Sequence, residues 1–246
     1  MLLYGVAWGA LEKHGSVPPC ASIDAQRATA RDSRHLSALG TRASDGHGEP
    51  AASPYLRLQR FPSAYVPASL RCSGLAELAQ RVRDLLASAG IASASDDRRG
   101  LDHGVFVPLK VIYPEARIPV VALSLQHGYD PQRHLAIGAA LAPLREEGVL
   151  VIGSGMSYHN LRRIFDGTDD GAAQFDEWLN EAALAPAPLR AERLIAWERA
   201  PHARDAHPQE DHLAPLFVVA GAAKIAAERD YHDVIYGKTL SAFRFD

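Results

Sequence analysis

Ile118-Pro119-Val120-Val121-Ala122-Leu123-Ser124-Leu125 is an apolar, β-branched run of strand length, and the residues on its C-terminal side decide the fold. Pro119 lies near its start, where a missing N–H donor is tolerated, so the run reads as a buried strand. Asp130-Pro131 then opens a helix by side-chain cap and first-turn proline. Leu135, Ala139, Leu141, Ala142 and Leu144 continue that helix, and Gly148 closes it. Val149-Leu150-Val151-Ile152 is the next strand. Strand, helix and strand with short links form a βαβ unit, which predicts the α/β class: a mixed sheet with parallel pairs, flanked by helices on both faces.

Working outward, Leu75, Leu78, Ala79, Val82, Leu85, Leu86 and Ala89 recur at helical spacing, with Ser73 as N-cap and Gly90 as stop. Downstream, Ala173, Phe175, Trp178, Leu179 and Ala182 mark one helix face, and Leu189 to Trp197 a further helix. Leu213 to Ala223 is apolar and reads as helical, and Ala242 to Phe245 alternates like a short final strand. Residues 15 to 73 scatter Ser, Ala, Arg, Pro and Gly without either period, which predicts an irregular N-terminal region, loop or disorder. The 246 residues are read as a single domain, 1–246, a length one α/β core accommodates.

A net charge of −3 with no Lys/Arg run offers no footprint for a nucleic acid or an anionic membrane, so a small-molecule partner is expected. Cys20 and Cys72 are too few for a disulfide framework and too isolated for a thiolate metal site. The apolar opening Met1 to Trp8 lacks a basic lead and meets Glu12-Lys13-His14 too early for a signal or spanning helix, which predicts a cytoplasmic protein.

Eleven histidines are present, and position separates them. His159 lies just past the strand ending at Ile152, the end of α/β strands at which ligand sites cluster. His103 sits in Leu101-Asp102-His103-Gly104, ahead of an apolar stretch. His207 and His212 bracket Pro208-Gln209-Glu210-Asp211, a mixture of imidazoles and carboxylates suited to a divalent transition metal or to acid/base work, with a structural role as the alternative. Gly153-Ser154-Gly155 matches neither a hydrolase elbow nor a phosphate loop, and a turn after a strand accounts for its glycines. Lys110 and Arg117 are available to an acidic substrate group.

Taken together, Leu101 to Gly104 with Val107-Pro108-Leu109, Pro119 to Leu125, His134 to Gly138, Gly153 to Gly155 with His159-Asn160-Leu161, and His207-Pro208 through His212 with Pro215-Leu216 resemble the class III extradiol ring-cleavage dioxygenases. The likeness is to their DOPA 4,5-dioxygenase branch, related to the protocatechuate 4,5-dioxygenase β subunit, and it spans residues 74 to 246. The resemblance implies non-haem Fe(II), with Zn(II) able to occupy the same site, and a catechol and O2 as small-molecule partners. It implies that His159 is an acid/base imidazole or an additional metal ligand, His103 an active-site histidine outside the ligand set, and His212 the C-terminal metal ligand, with Glu210 weighed as its substitute. It leaves a homo-oligomer open.

The family's other two metal ligands come from a Ser-His-Gly segment near the start and a His-Trp pair after the first long helix, and neither string occurs in this sequence. Alignment of the openings puts Tyr4 where the first histidine belongs, and a phenol with a pKa near ~10 is a poor replacement. Read one base later, permissible codons for residues 35–42 spell Ile-Ser-Ala-His-Trp-Glu-Arg. Those for 57–62 spell Asp-Phe-Ser-Gly-Phe, and those for 65–71 spell Met-Tyr-Gln-Leu-Arg-Tyr. All three strings are family-like and stand in family order, which predicts a one-nucleotide frame displacement that the coding DNA would reveal or refute. The sequence supports two main readings: an extradiol dioxygenase of impaired activity, or a catalytically inactive relative that keeps an aromatic-ligand pocket. A metal-dependent hydrolase using the His207 to His212 cluster is a third.

Overall fold

The computed structural model describes residues 5–9, 22–24, 76–96, 101, 103–115 and 117–245, with residues 5–9, 22–24 and His103 described through their backbone. In chain order the elements are β1 (Gly5–Gly9), β2 (Ser22–Asp24), α1 (Ala76–Ser88), β3 (Ala94–Asp96), α2 (His103–Ile112), β4 (Val120–Leu123), α3 (Pro131–Leu141), α4 (Pro143–Glu146) and β5 (Val149–Ile152). Then come α5 (Ala172–Leu184), α6 (Ala187–Ile195), α7 (Ala203–Ala206), α8 (Ala214–Ala222), β6 (Ala227–Ile235) and β7 (Lys238–Phe245), with 3-10 turns at Trp197–Arg199 and Glu210–His212. Tyr4, the three shifted-frame stretches and the N-cap assigned to Ser73 lie outside the described residues.

α1 buries Leu78, Ala79, Val82 and Leu86, the stripe expected from its spacing. Gly90 ends it in the left-handed region at φ +72. There Gly90 N–H donates to Ala87 O at 2.9 Å and Ile91 N–H to Leu86 O at 2.8 Å, the paired bonds of a Schellman stop. α3 starts as its sequence dictates, with Asp130 Oδ1 accepting from Arg133 N–H at 3.0 Å and Pro131 in the first turn. The single helix expected up to Gly148 is two helices. Pro143 has no N–H to continue the ladder, so α3 ends at Leu141 and α4 begins at the proline.

The main sheet is mixed, in the order β3-β2-β4-β1-β5. β4 and β5 run in the same direction, as a βαβ unit requires, but are not neighbours. β1 lies between them and runs antiparallel to both, opposing Ala7 to Val121 on one side and to Val151 on the other. The parallel pair is β2 with β4, and β2 falls inside the stretch 15–73 expected to be irregular. Residues 22–24 are thus the correction to an irregular stretch at 15–73, while β1 lies ahead of it: three residues with one aliphatic side chain carry no readable strand pattern.

β7 is eight residues long where the sequence suggested four, and it pairs antiparallel with β6 across Tyr236-Gly237. Both turn residues have positive φ, 52 and 80, as a tight two-residue hairpin requires. α8 buries Ala214, Pro215, Leu216, Phe217, Val218, Ala220 and Ala222, which leaves it little polar face and puts it inside the molecule. It lies close against α3. A Cβ on Gly138 would overlap Val218 O, and a Cβ on Gly221 would overlap Leu135 O, so each glycine makes room for the other helix's backbone. Around them Leu86, Leu144, Phe175, Leu179, Leu194 and Phe217 have no exposed surface, each stabilising the fold by about 1.5–3 kcal/mol through burial. No helix among the described residues is long and apolar enough to cross a membrane.

Candidate metal centre

Beyond β5 the chain runs through Gly153-Ser154-Gly155 to His159, and four hydrogen bonds join this segment to residues 205–212. Met156 N–H donates to His212 O at 3.0 Å and His159 N–H to Ala206 O at 3.0 Å. Asn160 Nδ2 donates to Asp205 O at 2.8 Å, and His207 Nε2 donates to Ser157 O at 3.0 Å. The approach is close enough that a Cβ on Gly155 would overlap His212 O. Gly153 and Gly155 are absent from the left-handed region, so close packing, and not the turn expected from sequence, is what requires them. Ser154 is buried with its hydroxyl donating to Gly104 O at 2.7 Å, a structural bond that leaves no nucleophile there.

This fastening brings His159 and His212 together, with ring centroids 3.4 Å apart and planes 16° from parallel. Asp211 completes the group: one ligand atom from each of His159, Asp211 and His212 lies within 4.8 Å of the other two. Bonds of about 2.0–2.2 Å to a shared ion would need the stacked rings to rotate until their in-plane lone pairs converge. His212 Nδ1 is buried and 3.1 Å from Asp211 Oδ2, yet it lacks the alignment of a hydrogen bond. A buried imidazole nitrogen without an aligned partner, beside an acid and a second imidazole, is a donor set that fits a divalent transition metal. Burial pushes the Asp211 carboxyl upward, but contacts with His212 and the nearby His159 outweigh it and hold the carboxyl below its ordinary range. Asp211 is therefore ionised, as a ligand must be.

Glu210, weighed as a substitute for His212, is turned to Arg204 at 2.7 Å. Arg204 also pairs with Glu198 and lies over the Trp197 ring. His207 is fully buried against Phe175 and Trp197, and burial, with the fields of His159 and His212, lowers its pKa to about 3. It is a neutral imidazole that fastens the His159 segment, with Nδ1 bare. His134 is buried too, donating through Nδ1 to Asp130 O at 2.7 Å and accepting from Gln126 N–H at 3.2 Å, so it serves the start of α3. His103 opens α2, and its side chain lies outside the described residues. Arg117 pairs with Glu115 at 2.7 Å on the surface.

Sequence pattern alone does not single out two residues of this neighbourhood. Asp211 is visible there only as part of an acidic cluster, since nothing in Glu210-Asp211 says which acid turns inward. Tyr129 has φ +47, and its phenol pKa is raised by burial first and then by Asp211 and Glu210. Its backbone departs from the ordinary regions, a feature that gathers at functional sites.

Residues 56–242 match the family described as the catalytic LigB subunit of aromatic ring-opening dioxygenase, and the chain belongs to that family. Among individual proteins, it is 45% identical over 168 residues to a 4,5-DOPA dioxygenase extradiol of Beta vulgaris, a match covering 66% of this chain and 62% of the relative. It is 42% identical over 182 residues to the protein of the same name from Portulaca grandiflora, covering 70% and 65%. The chain thus spans a little under two thirds of the length of these relatives. A crystal structure of an uncharacterized protein from Escherichia coli K12 shares the fold, with a TM-score of 0.61 at 23% identity over 92% of this chain and 80% of that one.

Proposed function

We propose that this chain is an extradiol ring-cleavage dioxygenase that opens a DOPA-like catechol with O2 to give a muconic semialdehyde. The substrate class is taken from the names of the Beta vulgaris and Portulaca grandiflora relatives. The observation that carries the reading is the convergence of His159, Asp211 and His212 in a family of aromatic ring-opening dioxygenases. His159 and His212, with Asp211 beside them, would hold Fe(II), or Zn(II) in the same site. Fe(II) bound there supplies open positions at which catecholate and O2 meet and electron density passes between them.

The chain's own residues do the remaining work. Asp211 offsets the charge of the ion. His207 and Gly155 keep the His159 segment against residues 206–212, so the imidazoles stay in place when substrate enters. Where His212 and Asp211 hold the ion without it, His159, half-buried where His207 is fully enclosed, is suited instead to take the catechol proton and return it to the product, with His103 assisting from outside the ligand set. The carbon–carbon bond beside one hydroxyl-bearing carbon breaks, and both atoms of O2 enter the product.

The test is iron content together with oxygen uptake on a DOPA-like catechol. One O2 consumed per ring opened, with iron near one per chain, is the expected result. Iron retained without oxygen uptake would favour the second reading, a catalytically inactive relative that keeps an aromatic-ligand pocket. The absence of the Ser-His-Gly and His-Trp strings supports that alternative.

A further inference from the structure

Behind the metal centre lies an apolar cavity of about 240 Å³, walled by Leu150, Ile152, Met156, Leu213, Val219 and Phe243 among others. It runs between β5, α8 and β7, and His212 stands in its wall, whereas His159 and Asp211 do not. His212 therefore belongs both to this cavity and to the His159–Asp211–His212 group.

All the polar side chains of the wall but His212, whose Nδ1 has no aligned partner, are already committed. Arg145 donates to Ala222 O at 3.2 Å and to Phe245 O at 2.6 Å. Ser157 Oγ accepts from Ser241 N–H at 2.9 Å, and Ser241 Oγ donates to Asp176 Oδ2 at 2.9 Å. Arg244 is paired with Glu228 and with Asp230. A catechol placed here would find only His212 for its two hydroxyls and would leave at least one without a partner, a costly burial of an unpaired polar group. A small apolar molecule meets no such penalty. Mostly apolar space of this kind can take up small apolar molecules, as engineered cavities take up xenon or benzene, and one water-sized molecule needs only about 30 Å³.

We propose that this cavity is a dioxygen site that supplies the metal centre past His212. The inference rests on the dioxygenase reading for its purpose, but its occupancy is open to test without any metal. The full chain, methyl-labelled and metal-free, is placed under O2 pressure, and paramagnetic relaxation of the methyl groups is measured by NMR. Enhancements at Leu213, Leu216 and Val219 several-fold above those at exposed Leu161 are expected; enhancements no larger than at Leu161 would overturn the proposal. Val219→Phe, and Ala242→Leu as a second filling variant, each checked for native circular dichroism, should reduce the effect at Leu216 to the surface level. Persistence of the effect in a folded, filled variant would equally overturn it. In the iron-loaded chain the filled variants should raise KM for O2 several-fold, leaving KM for catechol and kcat at saturating O2 unchanged; an unchanged KM for O2 would refute the supply role. Normal O2 uptake into the cavity with no ring opening in any condition would count against the enzyme reading and not against the cavity.

Discussion

His207 and His134 are both neutral in the folded protein, each with its pKa lowered mainly by burial. In the unfolded chain an imidazole titrates near ~6.5. Between that value and about 3, where His207 titrates when folded, the unfolded chain binds the extra proton. The stability that His207 contributes is therefore fully present above pH ~6.5 and falls as the pH drops toward about 3, by up to about 1.4 kcal/mol per pH unit, and His134 acts in the same direction. His207→Gln, whose amide can still donate to Ser157 O, should flatten the acid side of the stability curve by close to one proton. Denaturant melts from pH 7 to 4 read this, and identical slopes in variant and parent would refute it. At the metal centre, Zn(II) titration should weaken by at least about 100-fold in His212→Ala and about 10-fold or more in Asp211→Asn. Glu210→Gln should change it little, because that carboxylate is held by Arg204. Equal losses from Glu210→Gln and Asp211→Asn would place the wrong acid in the site.

Among the elements, the crossing of α3 and α8 is the most exacting contact. Gly138→Ala would drive a methyl into the Val218 carbonyl and should cost about 3 kcal/mol, near the upper end for overpacking. Gly90→Ala meets nothing within 4 Å and carries only the left-handed penalty, about 1–2 kcal/mol. Thermal melts of the two variants should rank in that order, and a milder Gly138→Ala would mean that the helices separate easily. The helices are legible in the sequence because their apolar spacing and their caps agree, as at Asp130-Pro131 and Gly90. β1 is not, because Gly5-Val6-Ala7-Trp8-Gly9 lacks the run of aliphatic residues that marks β4 and β5. β6 is hidden because all but its first residue are exposed or nearly so, leaving no alternation to read. His159 can be found from its place after a strand. Its partner Asp211 cannot, because in a 3-10 turn successive residues point about 120° apart and only the packed turn shows which acid faces inward. The union of residues 153–160 with 205–212 rests largely on backbone groups and crosses about fifty positions, so side-chain patterning carries no trace of it.

At the scale of the whole molecule, residues 56–242 carry the match to the ring-opening dioxygenase family, in a chain that spans a little under two thirds of the length of its Beta vulgaris and Portulaca grandiflora relatives. The two ligand strings that the family resemblance implies for the N-terminal part are missing from the sequence, so metal retention is the property on which the proposed activity depends. Sequencing the coding DNA bears on their loss: a frame unable to encode the three displaced strings would refute the frame displacement.

We propose that His159, Asp211 and His212 form a working centre for extradiol cleavage. Its most direct test is to load the full chain with Fe(II) without oxygen, add a DOPA-like catechol, admit O2 and follow oxygen consumption and product mass together. Uptake of one O2 per catechol, a product heavier than substrate by both oxygen atoms, and loss of both signals in His212→Ala are predicted. Retained iron and bound catechol with no oxygen consumed would contradict the claim.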